Sequence, residues 1–328
     1  WRSLVPYGEY NNYYPTFSPA GNWIAFNRAR EGHAYANEKA ELWLVNPSGD
    51  TLVRLDAANG VGDLQNSWAR WGPLPDDDSF LAWVWPLTFG TLWSAFLAML
   101  MAVPLAIAIA LFITHFAPRR LAQGLGYLID LLAAIPSVIY GLWGITVLAP
   151  FMQPAYTWLS ENLAWIPLFT PPASGTGRTI FTAAIVLAVM VLPIITALCR
   201  EIFLQTPRLN EEAALALGAT RWEMITMAVL PHGRSGIIAS SILGLGRALG
   251  ETMAVAMVLA SAGAVTFVVV GSQNPSTIAA NIALRFPEAH GITVNMLIAS
   301  GLVLFAITLV VNGVSRWIIA KTTVDGGR

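Results

Sequence analysis

From Leu81 to Thr114 the chain carries no charged side chain, a run longer than the ~20 apolar residues that cross a ~30 Å hydrocarbon core. It predicts a helix at about 88–113. Four further runs, at about 122–150, 179–199, 236–260 and 293–319, are apolar on most faces, and the charges collect between them. None alternates as a barrel strand must, and only helices or closed barrels satisfy their backbone in lipid. The pattern therefore predicts an all-α polytopic membrane protein with five spans. The run Ala260–Gly271 is apolar but short, and a re-entrant or interfacial segment is expected there.

Residues 1–80 follow a different pattern. Trp23-Ile24-Ala25-Phe26 and Leu42-Trp43-Leu44-Val45 read as strands, with turns at Pro19-Ala20-Gly21 and Pro47-Ser48-Gly49. Pro15-Thr16-Phe17-Ser18-Pro19-Ala20-Gly21 is echoed by Ala69-Arg70-Trp71-Gly72-Pro73, a period within reach of a propeller blade. The first stretch resembles the TolB-type, WD40-like β-propeller repeat, with Ala20 in place of the usual Asp. The resemblance covers one blade and the start of another, where a propeller needs several. Together with Trp1 at the start, this leads to the expectation of a chain cut from something longer, or of a fragment fused near Pro75-Asp76-Asp77-Asp78.

Composition sharpens the division at residues 80 and 81. Hydrophobic residues make up 55 % of the chain and charged ones 11 %, against roughly 25 % charged in a soluble domain. Residues 1–80 hold 6 basic and 10 acidic side chains, and residues 81–328 hold 12 and 9, as expected of a water-exposed module followed by an embedded one. The net charge of −1 leaves no basic excess for nucleic acid. Cys199, the single cysteine, sits in an apolar run and is expected to be buried and inert. His33, His115, His232 and His290 lie in different segments without ligand spacing, so no metal site is expected.

Orientation follows from the loops. Arg119, Arg120, Arg200, Arg208, Arg221, Arg234, Arg316, Lys321 and Arg328 lie on one side, and only Arg178 and Arg285 on the other. The first set is expected in the cytoplasm, with the N-terminal piece outside and the C-terminus inside. The outer loop 151–178, with Trp158, Trp165 and Pro171-Pro172, suits an aromatic interface.

Two constellations carry the functional reading. In the loop 200–235, Glu212-Ala213-Ala214, Gly218 and Leu230-Pro231 predict a helix over Glu211–Leu217, a turn at Gly218-Ala219, and a second short helix from Trp222 ended by Pro231. This resembles the EAA loop of ABC-importer permeases, with Ala228 where the pattern usually has Ile. The resemblance implies a knob that docks into a groove of a cytoplasmic ATPase, with Glu212 positioning it. In the fourth span, Arg247 and Glu251 are four residues apart, which on an unbroken helix puts both on one face. Each charge costs ~2.5–3.5 kcal/mol or more at the bilayer centre. The pair either pins the packing as an intramembrane ion pair or serves an anion path, in which an arginine offers several fixed donors to a tetrahedral oxyanion.

The run Gly244-Leu245-Gly246-Arg247-Ala248-Leu249-Gly250-Glu251-Thr252-Met253-Ala254-Val255, with Ala133-Ala134-Ile135-Pro136-Ser137-Val138-Ile139-Tyr140-Gly141 in the second span, resembles the C-type permease subunit of phosphate-specific ABC importers over about residues 87–322. The resemblance implies a MetI-like five-helix core. It implies phosphate as cargo, with Arg247 and Glu251 in its passage. The implied partners are a homologous second permease subunit, two ATPase subunits and a periplasmic phosphate-binding protein, in a bacterial inner membrane. ATP and Mg would be bound by the ATPase, since this chain has no Gly-x-x-x-x-Gly-Lys-Ser/Thr stretch, and the chain is expected to be no enzyme. The family usually has a further helix before this core, where the blade-like piece stands here.

Asp130, early in the second span, is a candidate for the path or for pairing with Arg119 or Arg120. Pro136 is expected to kink that helix, with Ser137 or a nearby hydroxyl satisfying freed backbone groups, and Ser137 and Tyr140 are path candidates. Two other readings stay open: another tetrahedral oxyanion such as molybdate or sulfate, or a nonfunctional fusion whose membrane part is only an anchor.

Overall fold

The computed structural model describes residues 10–17, 23–30, 41–54, 80–259, 265–289 and 292–325, in two units, Trp1–Asp77 and Asp78–Arg328. In the first, strands β1 (Tyr10–Phe17), β2 (Ile24–Arg30), β3 (Glu41–Val45) and β4 (Leu52–Arg54) form an antiparallel meander in chain order. Phe26 pairs with Trp43 and Ile24 with Val45, and Ile24, Phe26 and Val45 form a small core. Gly49, at φ +81°, makes the β3–β4 turn, where Asn46 Oδ1 accepts the Thr51 N–H at 3.0 Å. The turn at Pro19–Gly21, the echo at Ala69–Pro73 and the junction at Pro75–Asp78 lie outside the described residues. One small sheet does not make a propeller, whose blades protect each other's edges. The propeller resemblance is therefore reduced to that sheet.

The second unit is helical. Helix α1 (Phe80–Leu111) continues through a π-turn to Phe116. Along one side, Gly90, Ser94, Ala98, Ala102, Ala106 and Ala110 are buried at a strict four-residue spacing, a small-residue seam that lets backbones approach where lipid offers no hydrophobic drive. Helix α5 (Ile180–Leu204) lies against it, with Ile180, Leu187, Met190, Ile195, Cys199 and Phe203 almost wholly buried. This contact is the centre of the core. Its outer surfaces stay apolar: Phe96, Leu100 and Leu105 on α1, and Leu302, Phe305 and Leu309 on the last helix, α11 (Ile292–Asp325), are exposed. Such faces require lipid or protein around them.

Among the described residues, four helical stretches are long and apolar enough to cross a membrane: Phe80–Phe116, Ser137–Asn162, Ile180–Leu204 and Thr293–Trp317. The expected second span, 122–150, is two elements. Helix α2 (Arg119–Ala133) is strongly amphipathic and stops before Pro136, which disfavours helical backbone in the residue ahead of it. The chain restarts as α3 (Ser137–Trp143) and passes through a π-turn into α4 (Ala149–Asn162). Pro136, at ψ 139°, separates two helices rather than kinking one. Residues 151–162, expected in a loop, are accordingly helical.

The expected fourth span, 236–260, is also broken. Helix α6 (Arg208–Ala216) is followed by α7 (Arg221–Met224), a π-turn at Ile225–Val229 and α8 (Leu230–Leu249). After Gly250–Thr252 the short helix α9 (Met253–Val258) begins. Of the expected re-entrant stretch, residues 265–271 are described and carry no helix or strand. There the Val269 N–H bonds Leu168 O at 2.9 Å, and Val270 O accepts the Ser174 N–H at 2.9 Å. The chain then enters α10 (Ile278–Arg285), tied to α1 where the Ile278 N–H bonds Thr91 Oγ1 at 3.0 Å.

Candidate functional site

The break after α8 decides how its two charges are used. Gly244 lets α8 sit against Val191 and Ile195 of α5, where a Cβ would meet side-chain carbons at 2.7 Å. At Gly250 the helix ends, with its N–H on Gly246 O at 3.2 Å. Arg247 lies in the last turn and is exposed, whereas Glu251 lies past the end and is 9 % exposed. The Glu251 carboxylate turns forward and accepts the Ala254 N–H at 3.1 Å, supplying the N-terminal cap that Thr252 does not. The expectation of one shared helix face is thus overturned, because the helix that would create it stops between them. Among the described residues no ion pair joins them.

Arg247 opens instead on a cleft of about 610 Å³ with Ile194, Ala239, Ile242, Leu243, Gly246, Asn312, Ser315 and Arg316. Asn312, Ser315 and Arg316 come from one face of α11. The cleft thus presents two guanidinium groups, an amide and a hydroxyl, and none of the described residues lining it is acidic. In the sequence Arg316 stands out only as one of the basic residues of the tail. Its (i, i+3, i+4) neighbours Asn312 and Ser315 were the available signal.

The other path candidates are placed elsewhere or are occupied. The Tyr140 hydroxyl donates to Leu132 O at 2.9 Å, closing the end of α2 across the Pro136 break, a task the sequence had assigned to Ser137 first. Ser137 starts α3 and is half-buried. Gly141 brings α3 onto α9, where a Cβ would meet Ala254 Cα at 2.7 Å. Asp130 lines a separate cleft with Arg119, Gln123, Arg200 and Glu201. Its partner is Arg200, at 3.8 Å, rather than Arg119 or Arg120. Arg200 is shared with Glu201 at 2.9 Å.

The loop 200–235 forms two helices around a glycine corner. Helix α6 holds Glu212 and Ala213 outward and Ala214 inward. Gly218 turns the chain at φ +87° with open space where a Cβ would stand. Thr220 and Glu223 form a reciprocal capping box at the start of α7. There Glu223 accepts the Thr220 N–H at 2.7 Å and the Thr220 hydroxyl at 2.8 Å. These bonds hold its carboxyl below the ordinary carboxylate value. Leu209, Leu217, Trp222 and Met227 are left exposed. Pro231, expected to end the second helix, instead lies in the first turn of α8, and the helical run continues from Arg221 to Leu249. The π-turn before it, in which the Leu230 N–H bonds Ile225 O, shifts the hydrogen-bond ladder ahead of the proline's missing donor. Behind the loop, His115 Nε2 at the end of α1 lies 3.7 Å from Glu211 Oε1.

A helical core with a broken inner helix and a glycine-cornered loop defines a class, the membrane component of a binding-protein-dependent importer. The family model described as binding-protein-dependent transport system inner membrane component matches residues 102–324, and the chain belongs to that family. Its similarity narrows further: the phosphate transport system permease protein PstC 2 of Mycobacterium bovis is 47 % identical over 255 residues, covering 76 % of this chain and 78 % of that one. PstC of Mycobacterium leprae is 47 % identical over 247 residues, 73 % of each chain. PstC of Pasteurella multocida is 43 % identical over 244 residues, 73 % of this chain and 75 % of its own. Among solved structures, the inward-facing methionine transporter MetNI superposes with a TM-score of 0.51 at 17 % identity, over 74 % of this chain and 95 % of that one. A bacterial transporter for the acidic polysaccharide alginate superposes with a TM-score of 0.51 at 20 % identity, over 74 % and 82 %. These two likenesses carry the fold alone.

Proposed function

We propose that the chain is the permease subunit of an ATP-driven importer that moves inorganic phosphate across the bacterial inner membrane by alternating access. The observation that carries this reading is the Arg247 cleft, in which Arg316, Asn312 and Ser315 add donors and no described lining residue is acidic. Fixed N–H forks suit a tetrahedral oxyanion, and a cleft with no carboxylate in its lining does not repel one. The names of the relatives point to phosphate among such ions. Glu251 acts on the path indirectly, by holding the start of α9.

In this reading the loop 200–235 faces the cytoplasm and docks on the ATPase through Leu217 and Trp222, both exposed, with Glu212, Ala213, Ala214, Gly218, Leu230 and Pro231 framing the contact. The strands β1–β4 then lie outside and the C-terminus inside, following the arginine bias. A homologous second permease subunit completes the path, two ATPase subunits bind ATP and Mg, and a periplasmic phosphate-binding protein delivers the ion. The ATPase supplies the differential affinity that shifts the membrane part between its states.

The test is ATP-dependent phosphate uptake in cells that lack their own C-type permease and are given this chain with its partner subunits. Uptake that disappears with Arg247→Ala while the complex still assembles supports the reading. Uptake blocked equally by molybdate or sulfate transfers the cargo to a wider oxyanion class. Correct insertion without flux of any oxyanion overturns it.

A further inference from the structure

Arg178 is set in a heavily tied turn just ahead of α5. Gly177 before it takes φ +70°, and a Cβ there would collide with the backbone of Ala149. Thr179 after it caps α5 by accepting the Thr182 N–H at 3.1 Å. The Thr182 hydroxyl donates to Gly177 O at 2.6 Å and contacts the Tyr156 hydroxyl at 2.7 Å. Tyr156, Thr179 and Thr182 are all fully buried. A side chain leaving such a turn departs in a fixed direction.

That side chain reaches to the far end of α9. Arg178 Nη2 donates to Met257 O at 3.0 Å and to Leu259 O at 3.4 Å, while its Nε is buried with no partner. No carboxylate pairs with it among the described residues. Its charge is therefore answered by the free carbonyls at the end of a six-residue helix, where a cation is favoured. The other end is held by Glu251 through the Ala254 N–H. A helix this short has little stability of its own, and both of its ends are tied by charged side chains of the sign each terminus favours.

We propose that Arg178 is a positioning residue for transport: with Glu251 it clamps α9 from both ends and so fixes the Gly250–Thr252 break beside Arg247. This rests on the phosphate-importer reading. Loss of the clamp leaves the assembled complex able to hydrolyse ATP while Arg247 is no longer presented in register, so fewer ions cross per ATP.

The experiment reconstitutes the full chain with its partner subunits in proteoliposomes and reads phosphate taken up per ATP hydrolysed, alongside the amount of assembled complex. Arg178→Gln is expected to lower the ratio roughly tenfold, the factor carried by loss of one hydrogen bond to a charged group, with complex amount little changed. Arg178→Lys, which keeps the charge but not the fork, is expected at an intermediate ratio. It carries the test alone if the Gln variant does not accumulate. A wild-type ratio per complex in the variants, at whatever amount, overturns the proposal, because a merely structural arginine removes complexes without altering those that remain. Absence of uptake by the unmodified complex counts against the importer reading and not against the clamp.

Discussion

Arg247 and Glu251, four residues apart, belong to different helices and do different work: Arg247 closes α8 and faces a cleft, and Glu251 opens α9 by accepting the Ala254 N–H at 3.1 Å. Their variants should therefore separate. Glu251→Gln keeps a side-chain oxygen for that N–H and is expected to retain much of the uptake. Glu251→Ala loses the cap, worth about 1 kcal/mol, and is expected to fall well below it. Arg247→Ala is expected to abolish uptake with assembly intact. Equal loss in Glu251→Gln and Arg247→Ala would restore a direct role for the carboxylate.

Arg316 shares the Arg247 cleft. Arg316→Ala is expected to cut phosphate uptake severalfold, and Arg316→Lys to recover part of it, since a point charge replaces a donor fork. Uptake rates normalised to complex amount decide this. Normal rates in Arg316→Ala would remove Arg316 from the path.

Gly218 has φ +87° and nothing near a Cβ, so substitution there acts through the backbone alone. Left-handed backbone costs roughly 1–2 kcal/mol for an ordinary L-residue and less for Asn. Gly218→Val should weaken co-purification of the ATPase and Gly218→Asn should largely preserve it. Indistinguishable behaviour of the two would remove the corner from the docking surface.

Glu223 is held below its ordinary carboxylate value by its two bonds from Thr220. A lowered folded-state value means the cap contributes fully above the unfolded carboxylate range and is lost as pH falls through the depressed value. The protection factor of the Thr220 amide, whose N–H the carboxylate accepts at 2.7 Å, should be high at neutral pH and fall on acidification through that range. Thr220→Val, which keeps the backbone N–H bond and loses only the hydroxyl bond, should weaken the pH dependence, Glu223→Gln should abolish it, and its persistence in the Gln variant would point to another group.

Gly90 meets the backbone of the segment leading into α10, where a Cβ would lie 2.5 Å from Ser276 O. Backbone cannot rotate away as a side chain can, so Gly90→Ala should lower the thermal stability of the complex, with overpacking costing about 1–3 kcal/mol. An unchanged melting temperature would show that the segment shifts freely.

The apolar runs made the membrane class and most spans legible, because uninterrupted hydrophobicity over a bilayer's thickness has few other causes. The helix and glycine corner at Glu211–Ala219 were legible too, through local helix propensity and turn chemistry. The breaks were not. Pro136 and the pair Gly250 and Glu251 sit inside apolar stretches whose average character hides them, and the backbone groups left loose at the helix ends are met by side chains: Tyr140 donates to the end of α2, Glu251 accepts from the start of α9, and Arg178 donates to the end of α9. Arg178 lies 79 residues from the carbonyl it holds, and spacing along the chain carries no trace of such a contact. The Arg200–Asp130 approach is hidden for the same reason, since Arg119 and Arg120 are nearer in sequence and Arg200 is the one that lies 3.8 Å away in space.

Pro231 inside a helical run has a mechanical result. Because Arg221 to Leu249 is a single helical course with one π-turn in it, the exposed Trp222 and the cleft-facing Arg247 are joined by about 38 Å of helical contour at 1.5 Å per residue. A displacement at the Trp222 end therefore reaches the Arg247 cleft through helix rather than through loop, and the π-turn at Ile225–Val229 with Pro231 is the place where that course can bend.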